Sequence, residues 1–465
     1  MFGAVRGIIK GILFGLDVAH PRPEDQHEEV IPPDEEASFQ PIIDEILDHL
    51  KEVWKEPPIH RDVHVKAHGL VKAYLEVLDD LDEDLRHGVF AQPGRRYPAW
   101  VRFSNGDETS QPDKTPDGRG MAIKLMGVPG DKLLEQPAGA MTQDFLMIDG
   151  PVFFVDEPEH YLDFEKAISD DDEFRYMLNP LQKDRLLRIR EFTQSFLLAT
   201  RTIDSPLTQR YWSMAPYKLG PHNIKFSARP ISSPPVPPRP KHQEPDANFL
   251  REAMKAQLRE GEAIFQLEVQ RQVPGKPMPL EDPTVEWKEK DSPFVPIARV
   301  RLLQQDFDTE QRRALSERLS FNPWHGLPAH RPLGGINRLR KRVYEAISEF
   351  RRTRNGATLQ EPTGWEEPAE PPKPAEPPKP AEPPKQAEPP KQAKPPKQAK
   401  PPKQAEPTEP TEQAEPAEPT EPTEPTEQAE QAEQAEPTEP TEQAEPTATT
   451  SSCGPNAVRA AEPKA

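Results

Sequence analysis

The chain has 465 residues, a formal net charge of −20 and 62 prolines, which are densest after residue 360. An acidic surface repels a polyanion, so the charge argues against nonspecific nucleic-acid binding. One cysteine, Cys453, leaves no intrachain disulfide, no zinc-finger spacing and no Cys-x-x-Cys-His haem attachment, and it fits a reducing, cytoplasmic compartment.

In chain order, Met1 to Leu16 carries Phe2, Val5, Ile9, Ile12, Leu13 and Leu16 at helical spacing, with Arg6 and Lys10 between them. The stretch lacks the clean apolar block and small-residue cleavage site of a signal peptide, and reads as an arm packing on its own domain or a neighbouring subunit. Residues 17–38 are polar, acidic and proline-containing, so 1–38 form an arm and linker. Phe39 to Trp54 has a helical stripe of Ile43, Ile46, Leu47 and Leu50. From Val63 to Phe154 the period changes to two, with strands expected at Ala99–Phe103, Met121–Leu125 and Pro151–Val155. Residues 160–200 look helical. Further strands are expected at 223–227, 263–269 and 297–302, and helices at 308–319 and 336–353. Many strands with few β-α-β alternations indicate an α+β class, an antiparallel β-barrel with attached helices over residues 39–356. No apolar run is long enough to span a bilayer. Residues 357–465 are Pro- and Glu-rich repeats with almost nothing apolar to bury, and read as a disordered, solvated tail. Its Pro-x-x-Pro spacing is compatible with an SH3-like partner, but a spacer is the preferred reading.

The chemistry-bearing residues are few. On a strand, His64, Lys66 and His68 share one face, and an imidazole on the inner face of a barrel can carry protons. His60, His64 and His68 also sit at i, i+4, i+8, the column a helix would need to bind a metal, although the intervening β-branched residues and Gly69 disfavour a helix. Arg102 and Ser104 share a strand face and suit a carboxylate. Phe153 and Tyr161 could cover a flat ligand or fill a core. Arg340 and Tyr344 are one helical turn apart, where a guanidinium favours a phenolate and a phenolate can ligate ferric iron.

The order of these segments resembles the haem-dependent catalase superfamily across residues 55–350. Arg61-x-x-His64-x-Lys66-x-x-Gly69 is similar to the catalase R-x-x-H-x-K-x-x-G segment. Val101-Arg102-Phe103-Ser104 is identical to its V-R-F-S strand. Asp117 to Lys124 resembles D-P-R-G-F-A-V-K, Pro151 to Val155 resembles P-x-F-F-x, and Arg340-x-x-x-Tyr344 matches R-x-x-x-Y. The resemblance implies a barrel holding one noncovalent haem b and a peroxide substrate. His64 would be the distal acid–base and Tyr344 the proximal ligand, supported by Arg340. Arg61, Arg102 and Ser104 would lie near the propionates, and Phe153 and Tyr161 on the porphyrin. Relatives often form dimers or tetramers, which implies a homo-oligomer. Catalases carry Asn-Asn where this chain has Ile148-Asp149, so the distal amide is lost unless Asp149 replaces it catalytically. Divergent relatives of this kind act as peroxidases or fatty-acid hydroperoxide isomerases.

Overall fold

The computed structural model describes residues 27–135, 137, 139–161, 201–238 and 246–367. The N-terminal arm, nearly all of the helical stretch expected at 160–200, and the repeat tail with Cys453 lie outside these residues. Nine strands form one antiparallel sheet: β1 (Ala67–Val77), β2 (Arg96–Asn105), β3 (Arg119–Met126), β4 (Thr142–Ile148), β5 (Tyr211–Trp212), β6 (Tyr217–Leu219), β7 (His222–Ser232), β8 (Ala263–Arg271) and β9 (Val295–Leu302). Their order is β5-β4-β3-β2-β1-β9-β8-β7-β6, and a further β5–β7 pairing closes eight of them into a barrel, with β6 hanging from β7. The α+β barrel with attached helices is as expected.

Alternation along the strands decides which side chains meet. Val71, Ala73 and Leu75 of β1, Val101 and Phe103 of β2, Ile123 and Leu125 of β3, and Phe265 and Leu267 of β8 are all fully buried and form one inner cluster. An eight-stranded barrel of this kind is filled by its own side chains, which leaves no room inside for a large ligand. The intervening residues face outward in register: Arg102 lies opposite Ala122, Ser104 opposite Gly120, and Gly120 opposite Ile148. The outer face of β2–β4 is therefore a wall with its own chemistry.

Two helices lie against that wall. Helix α1 (Glu35–Val53) buries Phe39, Ile42, Ile43, Ile46 and Leu50 against Leu339 and Val343 of helix α4 (Gly335–Asn355). Helices α2 (Phe249–Glu260) and α3 (Glu310–Arg318) complete the described set. The chain ahead of α1 is tethered: Glu29 pairs with Arg331 and Arg338. Helix α4 stops at Gly356 (φ 59°), whose left-handed backbone lets the Ala357 N–H reach Arg352 O at 2.9 Å.

Three local expectations fail. Residues 61–66 are not strand; β1 begins at Ala67. Pro151–Val155 forms bends, with the Phe153 N–H donating to Pro283 O at 3.1 Å instead of joining a ladder. The strand at this point is Thr142–Ile148, just before it. The packed chain also runs past the boundary placed at Gly356: Trp365 Nε1 donates to Ala99 O at 3.0 Å, and Trp100 Nε1 donates to Gly364 O at 3.2 Å.

Candidate active site between the barrel wall and helix α4

A cavity of about 1040 Å³ lies between the outer face of β2–β4 and helices α1 and α4. Its lining includes His64, Arg102, Ser104 and Ile148 from the barrel side, Phe153, Phe154 and Tyr161 from the chain after β4, and Arg340, Tyr344 and Arg351 from α4. The imidazole and the phenol that the sequence singled out thus border one space. That space lies outside the barrel, not on its inner face.

His64 owes its position to the backbone. Its φ is 61°, a left-handed conformation rare in non-glycine residues. Three contacts hold it there: the His64 N–H donates to Gly106 O at 3.0 Å, Arg102 Nη2 donates to His64 O at 2.8 Å, and Nδ1 meets Asn105 O at 2.8 Å. A carbonyl only accepts, so Nδ1 carries the hydrogen and Nε2 keeps its lone pair. Burial lowers the His64 pKa to about 4, with Arg102, Arg340 and Arg61 adding to the fall and the Asn105 bond opposing it. The ring is a neutral base at any ordinary pH. Ser104 Oγ lies 3.1 Å from Nδ1, so this hydroxyl faces the imidazole.

Lys66 and His68 do not join it. Lys66 pairs with buried Asp113 at 2.6 Å, and His68 Nε2 meets Asn105 Oδ1 at 2.7 Å. His60 instead faces Glu317 at 3.3 Å. With the three histidines engaged separately, the metal column is not formed. Among the described residues, the grouping with metal-ligand spacing is Asp156, Glu157 and His160.

On the opposite wall, Arg340 Nη2 reaches the Tyr344 hydroxyl oxygen at 3.4 Å and Nη1 donates to Asn337 Oδ1 at 3.1 Å. Burial opposes the Arg340 charge, but Tyr344 and Tyr217 hold its pKa above the usual arginine value. Phe153 and Phe154 stack with centroids 4.4 Å apart, and Tyr161 lies near-parallel to Phe153 at 6.4 Å.

Arg61 lines the cavity but is occupied: it pairs with Glu317 at 3.2 Å and donates to Ser316 O and Leu319 O. Sequence reasoning missed Arg351, seven residues and two helical turns after Tyr344, where spacing alone places it along the same side of α4. It is 9 % exposed, its Nε has no hydrogen-bond partner, and burial and Arg61 lower its pKa to about 9, Glu317 opposing. Burial raises the Glu317 pKa, but Arg61, the His60 bond, Arg102 and Arg351 together hold it at about 2. Arg61 pairs with that carboxylate, Arg102 donates to the His64 and Val65 carbonyls and to Ser316 Oγ, and Arg351 Nη2 donates to the Glu317 backbone O. Positive charge therefore exceeds negative charge in this corner, and it can accept an anion.

Asp149 does not take the place of an amide in the cavity. It follows the last residue of β4, so its side chain turns away from that of Ile148. Its Oδ1 accepts the Arg119 N–H at 2.8 Å, and Arg201 lies 3.7 Å from Oδ2. Ile148 is the residue that faces the space.

Residues 36–194 match the family model "Catalase". A catalase of Ascaris suum is 30% identical over 119 residues, 25% of this chain and 20% of that protein. The structure of a fungal catalase aligns with a TM-score of 0.50 and 18% identity over 72% of this chain and 66% of that one. Catalase A from Saccharomyces cerevisiae aligns with a TM-score of 0.48 and 16% identity over 72% and 68%. The chain thus spans a fifth of the curated relative's length and about two thirds of the fungal structure. Over residues 36–194 the chain is thus similar to catalases in sequence, and its barrel is similar to the fold of the fungal catalase.

Proposed function

We propose that the domain is a haem-dependent oxidoreductase acting on a peroxide, with His64 as the acid–base and Tyr344 as the iron ligand. The observation that carries this reading is that a hydrogen-bond-fixed, neutral imidazole and an Arg340-supported phenol border one cavity. Its residues fit haem b: the Phe153, Phe154 and Tyr161 rings and the aliphatic part of the lining suit a flat macrocycle, and the Arg61–Arg102–Arg351 corner, with its unpartnered Arg351 Nε, suits the two propionates. When bound, haem would supply the redox chemistry at its iron.

The chain's own part is acid–base work and placement. His64 Nε2 takes a proton from the attacking peroxide oxygen and returns it to the departing one, while Nδ1–H stays on Asn105 O. Arg340 keeps positive charge beside the phenol oxygen. The aromatic and aliphatic lining limits water around the reacting oxygens.

Ile148 favours an organic hydroperoxide over hydrogen peroxide. It places a methyl-bearing side chain where the family carries an amide, and so offers contact to an alkyl group rather than a hydrogen bond to a bare peroxide. Addition of haemin to the full chain and to Tyr344→Phe, followed by visible spectra, tests the ligand assignment. A band that shifts or vanishes in the variant is expected, and an unchanged band would exclude Tyr344. Oxygen release from hydrogen peroxide compared with turnover of an alkyl hydroperoxide separates the substrates. A normal haem spectrum with no turnover of either would leave a haem-binding protein.

A further inference from the structure

The segment after α4 does more than leave the domain. Leu359 and Glu361 are part of the cavity lining. Beyond them, Trp365 packs edge-on against Tyr74 at 4.8 Å and donates to Ala99 O, while Glu367 pairs with Lys72 at 3.3 Å and with Arg312. The segment therefore starts on the helix that carries Arg340, Tyr344 and Arg351 and ends on β1, β2 and α3, of which β2 carries Arg102 and Ser104. It spans both walls of the cavity.

Its central contact is ionic and buried. Lys124 Nζ from β3 lies 2.8 Å from Asp144 of β4 and 2.6 Å from Glu361. Glu361 also accepts from Thr142 Oγ1 at 2.8 Å, and Thr142 meets His325 Nε2 at 2.5 Å. The Asn322 N–H donates to Asp144 Oδ2 at 3.0 Å. One buried ammonium thus serves two largely buried carboxylates at the edge of the cavity.

We propose that residues 357–367 form a latch that holds the two cavity walls together, closed by Glu361 on Lys124 and anchored by Trp365, and that it retains the occupant of the cavity. The retention rests on the haem reading above; the latch itself does not.

The cluster makes the latch responsive to pH. Burial pushes the Asp144 carboxyl up to about 7, with Lys124 opposing the rise and Glu361 adding to it. Burial also opposes ionisation of Glu361, but the Lys124 charge and the hydrogen bonds from Lys124 and Thr142 hold its pKa below the usual value. Burial works against the Lys124 charge, yet Asp144 and Glu361 keep it protonated. His325 is held neutral, its pKa lowered to about 3 by burial, by Lys124 and by Lys132, with Glu361 opposing. Below pH 7 the docked cluster carries one protonated acid and balances. Undocking hydrates Asp144 and removes Glu361, so the undocked form ionises at lower pH. Docking consequently weakens as the pH rises towards 7 and levels off above it, by about tenfold for each unit by which the two pKa values differ.

Hydrogen–deuterium exchange of the 357–367 peptide in the full chain without haemin, corrected for intrinsic rate, reads the latch directly between pH 5.5 and 8. Protection that falls towards pH 7 and then flattens is expected. In Glu361→Gln, which leaves a balanced Lys124–Asp144 pair, the pH dependence should disappear. Trp365→Ala should exchange about tenfold faster or more at every pH. Unchanged protection in Trp365→Ala, or a pH step that persists in Glu361→Gln, overturns the latch. Haemin release to an excess of an apo-globin then tests retention: both variants should alter the release rate in the same sense as exchange. Altered exchange with unaltered release overturns the retention claim. Failure of haemin to bind the wild-type chain, with the exchange pattern as expected, refutes the haem reading and leaves the latch standing.

Discussion

Gly120 offers the sharpest test of how the imidazole is placed. A methyl group built on its Cα would lie 2.7 Å from both Cε1 and Nδ1 of His64 and 2.9 Å from Ser104 Oγ. Ordinary contact between such atoms is about 3.5–4.0 Å, so the ring must retreat by roughly 1 Å. That displacement breaks the bond from Nδ1 to Asn105 O, worth about 1 kcal/mol, and moves Nε2 from its working position. Gly120 lies within β3 and has no positive φ, so alanine suits the backbone and the effect is steric. Overpacking of this kind costs about 1–3 kcal/mol of stability, whereas a misplacement of about 1 Å at a reacting group costs about 100-fold in rate. Gly120→Ala should therefore fold with a modestly lower Tm, retain haemin, and lose about two orders of magnitude in kcat/KM for its peroxide. Wild-type kcat/KM in a folded Gly120→Ala protein would refute the argument that this glycine sets the position of His64.

Three further outcomes follow from the charges. Because the His64 pKa is lowered to about 4, the base form should persist until the pH falls to that value; kcat/KM should be flat through pH 6.5 and fall near pH 4, and an acid limb centred at 6.5 would contradict the assignment. His330 accepts the Val89 N–H at 2.9 Å, and its pKa is lowered to about 3 by burial and by His87 and Lys132. The stability it contributes is complete above pH 6.5 and drains away as the pH falls towards 3, about 3 kcal/mol of it by pH 4. Denaturant melts of wild type and His330→Gln should show the shallower acid dependence in the variant. Arg351→Leu removes a buried cation that has no carboxylate to itself; the apo Tm should rise by a few degrees and the affinity for haemin should drop about tenfold, as read by thermal melts and titration. A lower Tm with unchanged affinity would contradict the anion-corner reading.

Much of the domain was legible because its chemistry is periodic. Helices α1, α3 and α4 and strands β2, β3, β8 and β9 follow from spacing, and the barrel class follows from their order. His64 was assigned to a strand because alternation continues through Val63 and Val65, but the left-handed residue at 64 interrupts it, and positive φ leaves no mark in composition. Pro151–Val155 has strand-forming residues, yet its Phe153 N–H goes to a distant loop rather than a ladder. Phe153, Tyr161, Arg102, Arg340 and Tyr344 do meet at one cavity, while Ser104 faces the imidazole and Asp149 turns to Arg119. Glu361 and Trp365 were hidden because they sit at the start of a Pro- and Glu-rich stretch whose composition says nothing of two well-placed anchors.

The walls of the cavity come from opposite ends of the domain, residues 61–148 and 336–351. During synthesis the first wall emerges nearly two hundred residues before its counterpart. No slot exists for a guest until the last long helix has been made and has swung back onto the sheet. Loading is thereby deferred until that helix is in place, and a product truncated before it presents an open wall where the longer chain has a chamber.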